Sequence, residues 1–559
     1  SSTNPTPFPD TTDATVAFDN NNHFYVVVSE HKADNSAGAL VSTKFNFGAA
    51  GPNTTGLALE DNVVIYAWTV NQALKPQVAV DSSAASFTDV NSSGQTTKQT
   101  DASSGNEYVT WATSDANPNG FGGFNPNTIR MAVSSDGGQA FSPSTIVDSA
   151  GNFGNERDTS PVATVSQGTA TVGAATPTVS GGQINVAWDD FGSLANASPA
   201  EDAIWFAGMA PGTDHVVPGA TGPITDAVSV NNVTVTTPTP FTLTIPAGTP
   251  TFTISQLDVA LAITHPSLSD LTITLNGPGL AQPITLVNSG GGTNGASGAN
   301  MGFGTGGKVF DTTFDQTSTE PIIKGAAPYI GNYSPVGNLG AANGLTVHAG
   351  DVWTLTITDN VVGNAGVLND FKLEFLNGLT QQIAQKTVTT TTVRGNAGIT
   401  GSVGTGADPL GIAPGVSIAS DNTLGAFSPN QGNIYLTYVD RANATVNTFA
   451  STNPADNTDV YLIFSTNGGQ TWQDTHQAGS GSLTGMVNDD NADTDGFSES
   501  SNGGQGDSNN FIYGRAQFEP QVAVDQATGT VVVSYYDGRY DASRDRVAMS
   551  ITTSIDGGK

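Results

Sequence analysis

Four times along this chain a proline opens a short alternating strand. The copies read Pro76-Gln77-Val78-Ala79-Val80-Asp81, Pro161-Val162-Ala163-Thr164-Val165, Pro414-Gly415-Val416-Ser417-Ile418-Ala419 and Pro520-Gln521-Val522-Ala523-Val524-Asp525. A version without proline stands near the start, at Thr15-Val16-Ala17-Phe18-Asp19. A second strand follows each, ending in an aromatic and usually an acid: Trp111 with Asp115, Trp188 with Asp189, Tyr438 with Asp440, Tyr536 with Asp537. Recurrence on this scale marks a fold built from one supersecondary unit. The unit is β, because apolar residues alternate with polar ones between turn clusters, and no helical period runs beyond two turns. The chain is expected to be all-β.

A third strand leads into a turn of the form Ser-x-Asp-x-Gly-x-x-aromatic. Ser134, Asp136, Gly138 and Phe141 make one copy, and Ser465, Asn467, Gly469 and Trp472 make a second with Asn for Asp. Ser554, Asp556 and Gly558 begin a third, which stops at Lys559 before its aromatic. The spacing suits a hairpin lock: the Asp or Asn side chain accepts backbone N–H groups, glycine supplies positive φ, and the aromatic folds back onto the sheet. The turn resembles the Asp-box of sialidase-like (BNR-repeat) β-propellers, where it closes the hairpin between the third and fourth strands of a blade. That resemblance implies blades of four antiparallel strands, with the last blade here incomplete.

Spacing then exposes an insert. Ser554 follows Ser465 by 89 residues, but Ser465 follows Ser134 by 331. Without residues 222–376 the longer interval shrinks to 176, two repeats of 88. Blades are placed near 14–75, 76–158, 159–221, 377–510 and 511–559, the third without a readable box. The insert resembles the P domain (P/Homo B domain) of proprotein convertases and bacterial secreted proteases. Its elements follow in that family's order: Leu257-Asp258-Val259, His265-Pro266, Asp270 to Leu275, Phe314-Asp315, Gly331 to Pro335, Gly350 to Leu355, Thr358-Asp359 and Gly366-Val367-Leu368. A jelly-roll-like β-sandwich is the implied fold, and Trp353, Leu355 and Ile357 alternate as one buried face requires. The domains are thus 1–221 and 377–559 for the two propeller parts and 222–376 for the sandwich.

Charge excludes several functions. Seventeen basic against 49 acidic side chains give a net charge of −32, which disfavours nucleic acid and anionic membrane surfaces. No apolar run is long enough for a membrane helix. The absence of cysteine removes disulfides, thiolate metal sites and cysteine nucleophiles. The chain begins at Ser1 and is read as a processed or excised piece.

Catalytic motifs are scarce. No Gly-x-Ser-x-Gly elbow, Gly-Thr-Ser turn or His-Glu-x-x-His helix occurs, and none of the six histidines stands in a subtilisin-type motif. His265 aligns with a common P-domain position and is given a structural role. Sialidase chemistry needs an arginine cluster and a Tyr–Glu nucleophile pair. No arginine occurs before Arg130, and a partial site from Asp440, Arg441, Asp537 and Arg539 is outweighed by ion pairing in turns. The acids at strand ends, Asp19, Asp81, Asp189, Asp190 and Asp525, recur once per blade and are read as turn caps. Gly302, Gly304 and Gly307 with Lys308 imitate a phosphate loop, but Val309 replaces the magnesium-holding hydroxyl and no βαβ unit surrounds them.

Calcium is the expected cofactor. Asn491, Asp493 and Asp495 place oxygen at alternate positions before Gly496, the pattern of a calcium-binding turn, with Asp489 and Asp490 adjacent. Asp270, Asp315 and Asp359 are candidates for another ion in the sandwich, as the P-domain resemblance implies. The function expected is a non-catalytic, calcium-stabilised binding or structural module of a large bacterial protein, secreted or at the cell surface. Its partner would be a surface protein or glycan, with self-assembly as a further mode. The alternatives are an accessory part of a secreted serine-type endopeptidase, whose catalytic domain lies outside this stretch, and a divergent sialidase-like glycoside hydrolase.

Overall fold

A computed structural model describes residues 10–47, 58–68, 72–82, 86–90, 96–100, 103–113, 128–148, 158–166, 182–190, 202–393, 412–423, 428–441, 458–474, 485–488, 517–538 and 546–558, with short omissions inside several of these. The described residues are all-β, with three 3-10 turns as their helical elements. No described helix is long and apolar enough to cross a membrane.

Five sheets carry the repeat. The first runs Asp10–Phe18, His23–His31, Gly38–Asn46 and Ala58–Trp68 in chain order, with antiparallel neighbours. The second orders Ala73–Val80, Glu107–Thr113, Thr128–Ser134 and Thr145–Ile146. The third takes Asp158–Ser166, Gln183–Asp190 and Asp202–Pro211, and then Leu379–Thr391 as its fourth strand. The fourth orders Ser417–Ser420, Ile434–Arg441, Thr458–Ser465 and Gln473–Asp474. The fifth has three described strands, Gln517–Val524, Val531–Asp537 and Ala548–Ser554.

The third sheet corrects the expected blade boundaries. Residues 379–391 do not open the fourth repeat; they close the third. The inserted sandwich therefore follows the third strand of that sheet and precedes its fourth, at the point where the second, fourth and fifth sheets have a box. Gly212 N donates to Gly378 O at 2.7 Å, tying the two ends of the insert together. The missing box is explained by this replacement.

Two compact units divide the chain. One comprises Ser1–Ala73, Ala132–Thr145 and Pro211–Leu379, and the other Leu74–Met131, Ile146–Ala210 and Thr380–Lys559. Within the first unit the insert is a two-sheet sandwich. One sheet orders His215–Pro218, Gly366–Leu376, Gln256–Thr264, Thr312–Phe314 and Gly331–Tyr333, the last pair parallel. The other orders Thr239–Thr244, Val352–Asp359, Leu271–Asn276 and Ile284–Val287. Alternate residues meet between them: Leu257, Val259, Leu261 and Ile263 from one sheet, Leu271, Ile273, Trp353 and Ile357 from the other. Period-two burial along Val352–Asp359 matches the expectation for Trp353, Leu355 and Ile357.

The second unit is layered. Strand Ile434–Arg441 sends Ile434, Leu436 and Tyr438 into a core with Ala187, Ile204 and Phe206 of the third sheet. Its alternate residue Tyr435, with Phe464, joins Val522, Val531 and Val533 of the fifth. A strand covered on both faces needs apolar residues at both parities, and this accounts for the near-continuous apolar run Tyr461-Leu462-Ile463-Phe464.

Candidate functional site

The turns after the first strands are capped as expected. Asp19 accepts the N–H groups of Asn21 at 2.7 Å and His23 at 2.9 Å. Burial pushes its carboxyl up, but these bonds and the His23 side chain outweigh that and hold it below the usual range. Asp525 accepts Thr528 Oγ1 at 2.6 Å and Ala527 N–H at 2.9 Å, and these donors lower it likewise. Asp421 does the same in the fourth sheet, accepting Thr423 N–H at 3.1 Å and Ser428 Oγ at 2.9 Å. Sequence reasoning missed Asp421, although it directly follows the repeated strand. Asp81 binds through its backbone, its N–H donating to Asn106 O and its carbonyl accepting from Gly105 N.

The opposite strand ends differ, and turn capping does not describe them. Asp189 and Asp190 lie buried at the end of the second strand of the third sheet. Asp190 stands opposite Asp158 in register, and Asp202 begins the next strand beside them. All are buried, and Trp188 Nε1 donates to Asp158 Oδ1 at 2.9 Å. In the fourth sheet Asp440 stands opposite Asp459. Thr391 Oγ1 donates to Asp440 at 3.1 Å and Asn488 Nδ2 to Asp459 at 2.7 Å. In the fifth, Asp537 accepts Ser550 Oγ at 2.8 Å and Gln517 Nε2 at 3.2 Å. The same strand end thus carries acids in three successive sheets, engaged by neighbouring indole, hydroxyl and amide donors. Buried acids require such donors to offset lost hydration. Arg441 belongs to the strand Ile434–Arg441, and Arg539 lies outside the described residues.

The sandwich separates its calcium candidates. Asp359 Oδ2 lies 3.2 Å from His265 Nε2, and Asp270 accepts Asn364 Nδ2 at 2.6 Å and Ser267 Oγ at 3.0 Å. Asn360 donates to the Asp270 carbonyl, placing Asp270 and Asp359 at one end of the fold. Asp315 instead accepts Gln256 Nε2 at 3.0 Å. Gln256 and His265 bracket the strand Gln256–Thr264, so these sites are about 25 Å apart. Asp315 joins Asp258 and Glu374, which face each other in register, and Gln256 Nε2 also reaches Asp258 at 2.8 Å. Burial first, then the charges of Asp315 and Glu374, push the Asp258 carboxyl well above its usual range. Sequence reasoning used Asp258 only as a motif position and did not single out Glu374, because they sit in a strand pair with little alternation of burial there.

His265 is fully buried and has no free nitrogen for catalysis. Ser267 N–H donates to Nδ1 at 3.1 Å, which leaves the proton on Nε2, directed at Asp359. Among the described residues no serine hydroxyl is bonded to this ring; Ser267 Oγ faces Ser269 and Asp270.

The box turns share one geometry. Ser134, Ser465 and Ser554 each accept through Oγ from the glycine N–H four residues on, Gly138, Gly469 and Gly558, at 2.8, 2.8 and 2.7 Å. Asn467 Oδ1 accepts Thr471 N–H at 2.8 Å, and Asp556 accepts Ser554 Oγ at 2.6 Å. Phe141 is buried, while Trp472 packs edge-on against Phe206 at 5.1 Å. Asp136 lies outside the described residues, as does the calcium candidate loop with Asp489, Asp490, Asn491, Asp493 and Asp495. In the glycine-rich segment, Phe303–Thr305 pairs antiparallel with Lys308–Phe310, strand against strand, whereas a phosphate loop leads into a helix.

No protein-family model matches the chain, and no curated protein matches it. Among solved structures the chain is similar to the α-L-arabinofuranosidase Arb93A from Fusarium graminearum, determined in complex with an iminosugar inhibitor. Identity is 8%, over 98% of this chain and 94% of that one, at a TM-score of 0.23. A likeness this low carries no argument about fold or activity.

Proposed function

We propose that this chain is a non-catalytic binding or structural module working outside the cell, a sialidase-like propeller part carrying an inserted P-domain-like sandwich. The observation that carries the reading is the engagement of the strand-end acids: Asp158, Asp440, Asp459 and Asp537 are tied to Trp188, Thr391, Asn488 and Gln517. Carboxylates committed to neighbouring donors serve the scaffold, whereas a glycoside hydrolase needs two that flank a bound sugar. The five repeated sheets, the three similar box turns and the two-sheet insert support the architectural part. Calcium and a surface protein or glycan partner belong to the same reading.

The test is direct. The full chain is incubated with a panel of aryl glycosides and with denatured casein, and its binding to arrayed glycans is measured beside them. The expected result is binding without release of chromophore or peptide, with Asp190→Asn and Asp440→Asn lowering the melting temperature. Turnover that Asp440→Asn abolishes without a change in melting temperature would overturn the proposal.

A further inference from the structure

A lysine of the sandwich reaches across a neighbouring strand to a carboxyl group beyond it. Gln256–Thr264 is the middle strand of its sheet, with Gly366–Leu376 on one side and Thr312–Phe314 on the other. Ala260 stands opposite Lys372, and Ala262 opposite Asp370. Asp311 directly precedes Thr312, the partner of Leu261 on the far side. Strands two apart in a sheet are separated by about 9 to 10 Å. Alanine carries only a methyl group, so the Lys372 side chain lies over the middle strand unobstructed. Its Nζ comes within 2.8 Å of Asp311 Oδ2 and 3.1 Å of Asp370 Oδ2. The Asp311 side chain is 11% exposed, and among the described residues its Oδ1 is buried with no hydrogen-bond partner. Burial lifts this carboxyl to about 6, and Asp370 reinforces the rise against Lys372 by its charge and by a hydrogen bond to the protonated acid. Asp370 therefore touches both the amine and the acid.

We infer that Lys372 and Asp311 condense to an isopeptide bond within the folded chain, with Asp370 carrying the proton between them. The pair starts as an ammonium and a carboxylate: burial works against the charge on Lys372, but Asp311 and Asp370 outweigh it and keep the amine protonated. Asp370 passes one amine proton to Asp311, which sets a neutral amine against a carboxylic acid. The Nζ lone pair then forms the bond to Asp311 Cγ. A second amine proton travels through Asp370 to the departing Asp311 oxygen, the C–O bond breaks, and water leaves. Nζ keeps one hydrogen, nothing is oxidised or reduced, and no co-reactant is needed. Two terms drive the step. Groups held at bonding distance react as though present at about 10⁵ M or more. The amide also removes two partly buried charges and the oxygen atom that the site leaves in excess. The product staples Gly366–Leu376 to Thr312–Phe314 across the strand between them, in a chain that has no cysteine to do so. The ion pair is the unlinked form, the one in which Asp311 titrates, and linking removes that titration.

Mass spectrometry of the full chain tests this, after it is held folded near pH 6, where Asp311 takes up its proton, until the mass is constant. The wild type is expected to weigh one water less than its sequence. Its tryptic digest should contain a branched peptide in which the segment after Lys308 is joined through Asp311 to the one containing Lys372. Lys372→Arg keeps the positive charge but should retain the full mass, as should Asp311→Ala. Asp370→Asn should slow the linkage by about a hundredfold or more, the loss expected of a missing proton carrier. A wild type that stays at full mass overturns the inference and leaves an ion pair only. Loss of water without the branched peptide overturns it too, since a cyclised aspartate loses the same mass. Linkage at the wild-type rate in Asp370→Asn would remove Asp370 from the step. Circular dichroism checks the fold of each variant, and the wild-type mass and branched peptide stand as a test even where a variant does not fold.

Discussion

His265 Nε2 lies 3.2 Å from Asp359 Oδ2, and neither side chain is exposed to solvent. The pair ties the loop after Gln256–Thr264 to the end of Val352–Asp359, on the other sheet of the sandwich, 94 residues away. Breaking one partner of such a pair strands a buried carboxylate, which costs more than the bond itself contributes. His265→Leu should therefore destabilise the fold by about 3 kcal/mol, read as a lower urea midpoint. A midpoint equal to wild type would remove this pair from the stabilising set.

Gly469 adopts φ of +88°, and an added Cβ would run into the Phe206 ring. Gly105 adopts φ of +86° with open space where its Cβ would stand. Alanine at either site bears the left-handed backbone cost of about 1 to 2 kcal/mol. Only Gly469→Ala also forces the Phe206 ring to shift, adding roughly 1 to 3 kcal/mol of overpacking. Equal losses in the two variants, measured by chemical denaturation, would show that the box turn gives way without strain.

How legible these features were depended on their range. Turn chemistry is local, so the spacing of Ser465, Asn467, Gly469 and Trp472 was enough to anticipate the hairpin lock. Strand pairing is not local. Leu379–Thr391 reads as a strand, but nothing in its residues says that it completes a sheet begun at Asp158. Asp315 shows the same limit. Its motif neighbours grouped it with Asp270 and Asp359, and only the length of Gln256–Thr264 separates them. Asp258 entered only as a motif position and Glu374 not at all, for a further reason: in a strand covered on both faces, alternation no longer distinguishes an inward carboxylate from an outward one.

Stability should depend on pH through Asp311. Its Oδ2 bonds Lys372 Nζ at 2.8 Å, while Asp370 stands 3.1 Å from the same amine. Burial lifts the Asp311 carboxyl to about 6, with Asp370 reinforcing the rise against the pull of Lys372. The folded state therefore holds a proton that the unfolded state has released between about pH 4 and 6. Stability falls as pH rises through that window, by at most about 3 kcal/mol, and is flat from this source below it. Asp311→Asn removes this contribution and makes the slope shallower, which urea titrations at stepped pH would detect. An unchanged slope in Asp311→Asn would assign the dependence to other acids.

Calcium removal separates the two sets of candidate ligands. If the loop from Asp489 to Asp495 holds an ion, a chelator lowers the melting temperature and added calcium restores it. Saturation at a hundred times the dissociation constant corresponds to about 2.7 kcal/mol. Asp493→Asn with Asp495→Asn should abolish the response to chelator while leaving the sandwich intact. The sandwich acids obey a different rule, because Asp315 and Asp359 bond to residues at opposite ends of the strand Gln256–Thr264, Gln256 and His265. Their amide variants should have additive effects on stability, as expected for sites more than about 10 Å apart that share no ligand. A coupling well above about 0.5 kcal/mol between Asp315→Asn and Asp359→Asn would instead require one ion or one network to join them. A melting temperature that ignores both chelator and calcium would remove the ion from the proposed module.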